Sequence, residues 1–238
     1  MNELKEKRNL FVGCSSSDNI PDKYIIDSWK YLEDVFTIGK EFTVSDALDA
    51  FSTNNFHRLP VVDSTNHLIG LITEGIIQAN TPSNATSLSV HELNYLLTKT
   101  TVESIMVKRV ITIGPDEILE KAADVMRQHG IACLPVVDEE NHLLGIITEK
   151  DIFGSFIEIL GYYREGSRIV VDVKEDKPGI LGHIAKVLGD ANVNISHLVV
   201  YRDDSIYVVI QVDDTDPDRF VPLLEEAGYP VMDVRVNK

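Results

Sequence analysis

The stretch LPVVDEENHLLGIITEKDI, residues 134–152, decides the fold because the chain has already used it once, as LPVVDSTNHLIGLITEGII at residues 59–77. Pro60 and Pro135, Gly70 and Gly145, and Thr73 and Thr148 are each 75 positions apart, so the copies align without a gap. A self-match at a fixed offset marks an internal duplication. Each copy contains an apolar run (59–62, 134–137), a polar turn, and a second apolar run (68–72, 143–147), which predicts a β-hairpin. A helix is expected after each hairpin, from Thr73 in the first copy and from Thr148 to about Leu160 in the second.

Working outward, VFTI (35–38) and VITI (110–113) are β-branched runs that predict one more strand per copy. Val44, Ala47, Leu48 and Phe51 then recur with helical spacing, and Leu119, Ala122, Ala123 and Met126 recur at the same offset. Each unit is therefore β-α-β-β-α. Between the units, 81–89 is a Ser/Thr/Asn/Pro loop, and HELNYLL predicts a short helix packing Leu93, Leu96 and Leu97. The polar residues 1–28 predict an irregular arm, with a helix over 25–32 left open.

From Arg168 the pattern changes. Ile169, Val171 and Val173 alternate as a half-buried strand, and the DKPGILG loop opens a helix carrying Leu181, Ile184, Leu188 and Ala191 on one face. Strands are expected at 195–200 and 206–212. A helix from Asp216-Pro217 with Phe220, Leu223, Leu224 and Ala227 should stop at Gly228, ahead of a last strand at 231–236. That order, βαββαβ, is ferredoxin-like. The expected fold class is α+β. The expected division is an arm at 1–28, a repeat pair at 29–160, a GYYREG hinge at 161–166 and a third domain at 167–238. Within the pair the repeats fall at about 35–78 and 101–160, joined by 79–100.

With 22 Lys and Arg against 38 Asp and Glu, the net charge is −16. Nucleic-acid binding needs clustered cations, and anionic membrane surfaces repel such a chain, so neither is expected as a partner. Two cysteines, Cys14 and Cys133, are too few for a disulfide framework and suit a reducing compartment. No apolar run has the length of a membrane span, so a cytoplasmic protein is expected, in which the sequon Asn84-Ala85-Thr86 is chance.

The paired units, with LPVVD, a glycine before an apolar triplet, and T-x-x-D in the second copy, resemble a tandem of CBS domains, the Bateman module, forming a pseudo-twofold pair. The DKPGILGHIAKVLGDANVNI segment resembles an ACT domain, and the combination is similar to bacterial acetoin-utilisation regulatory proteins of the AcuB type. The resemblance implies an adenine nucleotide between the repeats: AMP, ADP or ATP, with cyclic di-AMP as an alternative. Thr112, Ile113, Ala132, Cys133, Pro135 and Ile146 are the expected adenine walls, and Thr148 with Asp151 the ribose pair. The first copy keeps Thr73 but has Ile76 where the second has Asp151, so one competent site is expected there, with the other cleft degenerate. Arg58, with His57, Arg109 and Lys150, is the candidate partner for phosphates. Two readings stay open. Thr148 to Asp151 also spells a helix start, and an isolated arginine also suits a solvated surface.

The ACT resemblance implies an amino acid at Asp176, Pro178, Gly179, Ile180 and Leu181, where a helix N-terminus attracts a carboxylate, with Asn194 serving the amino group. Those residues equally serve merely to begin the helix. No catalytic constellation is present: the seven histidines include no H-x-x-x-H pair, and C-x-x-C, Walker and G-x-S-x-G motifs are missing. No metal site and no enzyme are expected. His67 and His142 recur as turn residues of the duplicated hairpin. The expected protein is a homodimeric regulatory sensor, with Ile157, Leu160, Tyr162 and Tyr163 near the dimer contact, acting on a target the residues do not identify. A ligand-free adaptor is the reading from another class.

Overall fold

A computed structural model describes residues 35–54, 56–82, 89–175 and 177–237. The arm at 1–28, the 25–32 helix, Cys14, the sequon and Asp176 lie outside the described residues. The chain divides into two compact units between Ile152 and Phe153.

In the first unit, β1 (Ile38–Gly39) pairs in parallel with β2 (Arg58–Val62), which pairs antiparallel with β3 (Leu68–Thr73). Between β1 and β2 runs α1 (Val44–Asn54), whose Val44, Ala47 and Phe51 are buried as their spacing predicts. Then come α2 (Glu74–Asn80), α3 (Val90–Lys99) and the short α4 (Val102–Ile105). The second copy has α5 (Leu119–His129), β4 (Cys133–Val137), β5 (Leu143–Thr148) and α6 (Glu149–Ile159). Both hairpins bulge at the same place, between Val61 and Val62 and between Val136 and Val137. The alternating burial of LIGLIT in β3 and LLGIIT in β5 is also the same.

Three expectations fail here. The 110–113 run is not a strand: only Ile113 bridges, to Val136 beside it, because Val110 and Ile111 face a cavity and have no ladder to join. The 35–38 strand shrinks to its last residue plus Gly39. Leu96 of α3 is exposed, while Leu97 packs on the first-copy core of Ile38, Phe51, Leu59 and Ile72.

The hairpin tips join the copies. Asn66 Nδ2 donates to the Leu143 carbonyl and Asn141 Nδ2 to the Leu68 carbonyl, both at 2.9 Å. The backbone repeats the exchange, Leu68 N to Asn141 O at 3.1 Å and Leu143 N to Asn66 O at 3.0 Å. Asn66 and Asn141 hold φ of 67° and 69°, a left-handed conformation that asparagine tolerates better than most residues. The His67 and His142 rings stack between the tips with centroids 4.4 Å apart, and Val62, Leu68 and Leu143 form a small core there.

The Asp63 carboxylate accepts from the Thr65 hydroxyl at 2.8 Å and from the backbone N–H groups of Thr65 and His67 at 2.9 and 3.0 Å. Those bonds, the hydroxyl first, hold its pKa at about 2 against an ordinary 3.8. The folded chain thus binds fewer protons at this carboxyl than the unfolded chain does, so the bonds stabilise above pH ~4 and the benefit fades as pH falls towards ~2. Acid titration of unfolding should show wild type more stable than Asp63→Asn at neutral pH, with the gap closing over that interval.

The second unit is a four-stranded antiparallel sheet in the order β7-β8-β6-β9, built from β6 (Gly166–Val173), β7 (Ile195–Arg202), β8 (Ile206–Val212) and β9 (Val231–Asn237). One face carries α7 (Ile180–Asp190) and, after a 3-10 turn at Pro217–Arg219, α8 (Val221–Glu226). Ile169, Val171, Ile184, Leu188, Ile210, Phe220 and Leu224 fill the core between them. The order is βαββαβ, as expected. The 3-10 turn displaces the expected helix start at Asp216-Pro217, and Leu181 is 42% exposed instead of sharing the buried stripe of Ile184 and Leu188.

Candidate functional site

A cavity of about 440 Å³ opens between the two copies. From the first copy it takes His57 and Arg58 at the start of β2, Leu71 and Thr73 of β3, and Glu74, Gly75 and Ile76 of the first turn of α2. From the second it takes Val107, Arg109, Val110 and Ile111 of the segment after α4, and Ile131, Ala132 and Cys133 at the start of β4. The halves are tied across the cavity wall by paired bonds, Leu71 N to Val107 O and Val107 N to Leu71 O, both 2.9 Å.

The lining is mostly apolar, with a few charged side chains. Two guanidinia, Arg58 and Arg109, line it together with the ion pair of His57 Nδ1 and Glu74 Oε2 at 3.1 Å. Burial pushes the Cys133 thiol up, opposed by the Arg58 guanidinium, while the Glu149 carboxylate pushes it further up. Thr73 caps α2, its Oγ1 accepting from the Ile76 N–H at 3.2 Å.

Of the residues expected at one nucleotide site, the cavity gathers His57, Arg58, Arg109, Ala132 and Cys133. It does not gather the others. Pro135 and Ile146 face each other in the β4–β5 ladder, Ile113 is buried in its bridge to Val136, and Thr112 does not line the cavity. Thr148 and Asp151 stand at the start of α6, where the Thr148 N–H at 2.7 Å and hydroxyl at 2.6 Å both donate to Asp151 Oδ2. This is the bonding of a helix start. Thr148 pairs with Cys133 in the β4–β5 ladder, while this cavity is lined by Thr73 and Ile76 of the first copy. Val107, Val110 and Ile111 were missed as walls because the β-branched run at 110–113 reads as a strand, though Arg109 within the same segment was expected near the phosphates.

The second unit has a cavity of about 470 Å³ lined by Lys177, Pro178, Gly179, Ile180 and Leu181 ahead of and on α7. Val200 and Arg202 of β7 and Ile206 and Val208 of β8 line it too. Gly179 takes φ 96° as the residue before α7, open to glycine and strained for others. Exposure of Leu181 follows from its place in this lining. Asn194 is not part of it: its Nδ2 donates to Asp213 Oδ2 at 2.5 Å, and its carbonyl accepts from Asp213 N at 3.1 Å. Asp138, Glu140 and His142 bring their ligating atoms within 4.8 Å of one another, with Asp138 and His142 bonded to each other at 2.9 Å. Among the described residues no helix is long and apolar enough to cross a membrane.

A family model for the CBS domain matches residues 31–77 and 102–158, and one for the ACT domain matches 167–228. A CBS domain-containing protein of Dictyostelium discoideum is 32% identical over 126 residues, which are 53% of this chain and 87% of that protein. A homoserine O-acetyltransferase of Methanohalobium evestigatum is 31% identical over 121 residues, 51% of this chain but only 22% of the enzyme. Among solved structures, CBSX2 of Arabidopsis thaliana in complex with AMP is similar at 21% identity and a TM-score of 0.48, over 58% of this chain and 99% of that one. The chain therefore belongs to the CBS-domain family, with two CBS domains followed by an ACT domain.

Proposed function

We propose that this protein is a non-catalytic regulatory sensor that binds an adenine nucleotide between its CBS repeats. The supporting observation is the lining of the first-unit cavity: apolar walls against which a base can lie, with Arg58 and Arg109 for an anionic group. A second nucleotide at Thr148 and Asp151 belongs to the same reading, as does an amino acid or other small anion beside Lys177 and Gly179. The kinship with AcuB-type regulators, a cytoplasmic location and a homodimer joined near Ile157, Leu160, Tyr162 and Tyr163 complete it. Tyr162 and Tyr163 are exposed aromatic rings in edge contact, 5.3 Å between centroids, which suits a surface awaiting a second copy. A ligand acts in such a dimer by its different affinity for two arrangements.

Thermal denaturation with AMP, ADP, ATP, cyclic di-AMP and S-adenosylmethionine tests the reading. A bound compound at a hundred times its dissociation constant should add ~2.7 kcal/mol of stability. No shift with any of them would favour a ligand-free adaptor, and turnover of any would make the protein an enzyme. Arg58→Ala should weaken the nucleotide that shifts stability by about tenfold or more, the value of a charge-assisted hydrogen bond, measured by calorimetry.

A further inference from the structure

We infer that the turn of the second copy's hairpin is a binding site for a divalent transition-metal ion of the zinc class, held by Asp138, Glu140 and His142. The inference goes beyond the nucleotide reading and stands without it.

Motifs of paired histidines do not describe this turn, whose donors are two carboxylates and one imidazole in D-x-E-x-H spacing. Their ligating atoms all lie within 4.8 Å of one another. Ligands about 2.0–2.2 Å from a zinc ion stand roughly 3.4 Å apart at the tetrahedral angle, so a small closing of the side chains brings the three round one ion, with water completing its shell. Two of the three are already placed. Asp138 Oδ1 accepts from the His142 N–H at 2.7 Å, and its Oδ2 lies 2.9 Å from His142 Nδ1. The His142 ring is backed by the ring of His67, with centroids 4.4 Å apart. Glu140 is exposed and supplies the third donor. An imidazole among carboxylates suits zinc and its neighbours in the transition series, whereas magnesium and calcium take sets of oxygen donors.

The first copy shows the same turn closed. Asp63, Thr65 and His67 stand 75 positions before Asp138, Glu140 and His142. The backbone bonds agree in the two turns: Asp63 N donates to His67 O at 3.1 Å and Asp138 N to His142 O at 3.2 Å. The side chains differ at one place. The Thr65 hydroxyl donates to Asp63 at 2.8 Å and lies 2.7 Å from His67 Nδ1, so it fills the space between carboxylate and imidazole that an ion would need. Glu140 puts a further anionic donor at that position.

The full chain is treated with diethyl pyrocarbonate in chelator-free buffer over a series of zinc sulfate, magnesium chloride or calcium chloride concentrations, and modification of the His142 peptide is followed by mass spectrometry. Zinc is expected to protect His142 at concentrations at least about tenfold below those at which magnesium or calcium does. Glu140→Thr, a side chain the first copy's turn already accommodates, should raise the zinc needed by at least about tenfold, with urea unfolding in the absence of metal unchanged. Should that variant unfold more readily, Glu140→Gln decides by the same tenfold criterion. Equal modification of His142 with and without zinc would overturn the inference. So would protection by magnesium as good as that by zinc, or zinc protection undiminished in the Glu140 variants. None of these outcomes bears on the sensor reading, which the nucleotide titrations test separately.

Discussion

Replacing Gly166 with alanine is expected to destabilise the second unit by about 2–6 kcal/mol, one of the largest single-residue effects in the chain. Gly166 opens β6 at φ 131°, a conformation that side chains rarely adopt, and such strain costs about 1–3 kcal/mol. An added Cβ would also lie 1.9 Å from the Val212 carbonyl oxygen and 2.9 Å from its carbon. Both are backbone atoms beside the β6–β8 ladder, where Ser167 pairs with Val212, so no side chain can swing away to make room. Forcing extra volume into well-packed surroundings costs about 1–3 kcal/mol more. Hydrogen exchange should locate the damage, with amides of 167–173 and 206–212 losing protection while those of β2 and β3 keep theirs. Unchanged protection in the β6–β8 ladder would show that the close approach is not a constraint.

The second large effect belongs to the seam between the copies. Asn66→Ala with Asn141→Ala should cost about 4 kcal/mol in all. Each change removes a hydrogen bond to a partner carbonyl, worth about 1 kcal/mol, and puts alanine in a left-handed conformation at about 1 kcal/mol or more. The paired glycine substitutions separate the two causes, because glycine accepts φ near 67° and 69° freely and should lose only the bonds, about 2 kcal/mol in all. Urea unfolding of the three proteins checks the order. Because the first-unit cavity is walled by both copies, under the proposed sensor reading the alanine pair should also bind adenylate more weakly than wild type.

Much of this architecture was legible in the residues, and the reasons differ by element. The α1 and α5 stripes and the two hairpins come from periodicity, which is local, and the fixed offset places them twice. The 110–113 run failed because a β-branched run becomes a strand only where a partner lies alongside, and here just Ile113 finds one. The partner of Asn194, Asp213, is brought to it by the sheet, which spacing along the chain does not reveal. Arg58, His57, Ala132 and Cys133 were legible as a group because they start equivalent strands of the two copies. Thr148 stays beside Cys133 as its ladder partner, whereas the meeting of Ala132 and Cys133 with His57 and Arg58 depends on how the copies dock, and that was not written in either copy alone.

The exchange at the tips has a consequence for how such a chain arises. Each copy's turn carries both a plug, the asparagine amide, and a socket, the carbonyl two residues on, and each socket is filled by the other copy. A polypeptide with a single copy could fill its own socket only by meeting a twin, at a strength set by how much of it is present. Covalent fusion turns that encounter into an intramolecular one, fixed at the high local concentration a short tether imposes, and frees the two halves to diverge as Ile76 and Asp151 have done.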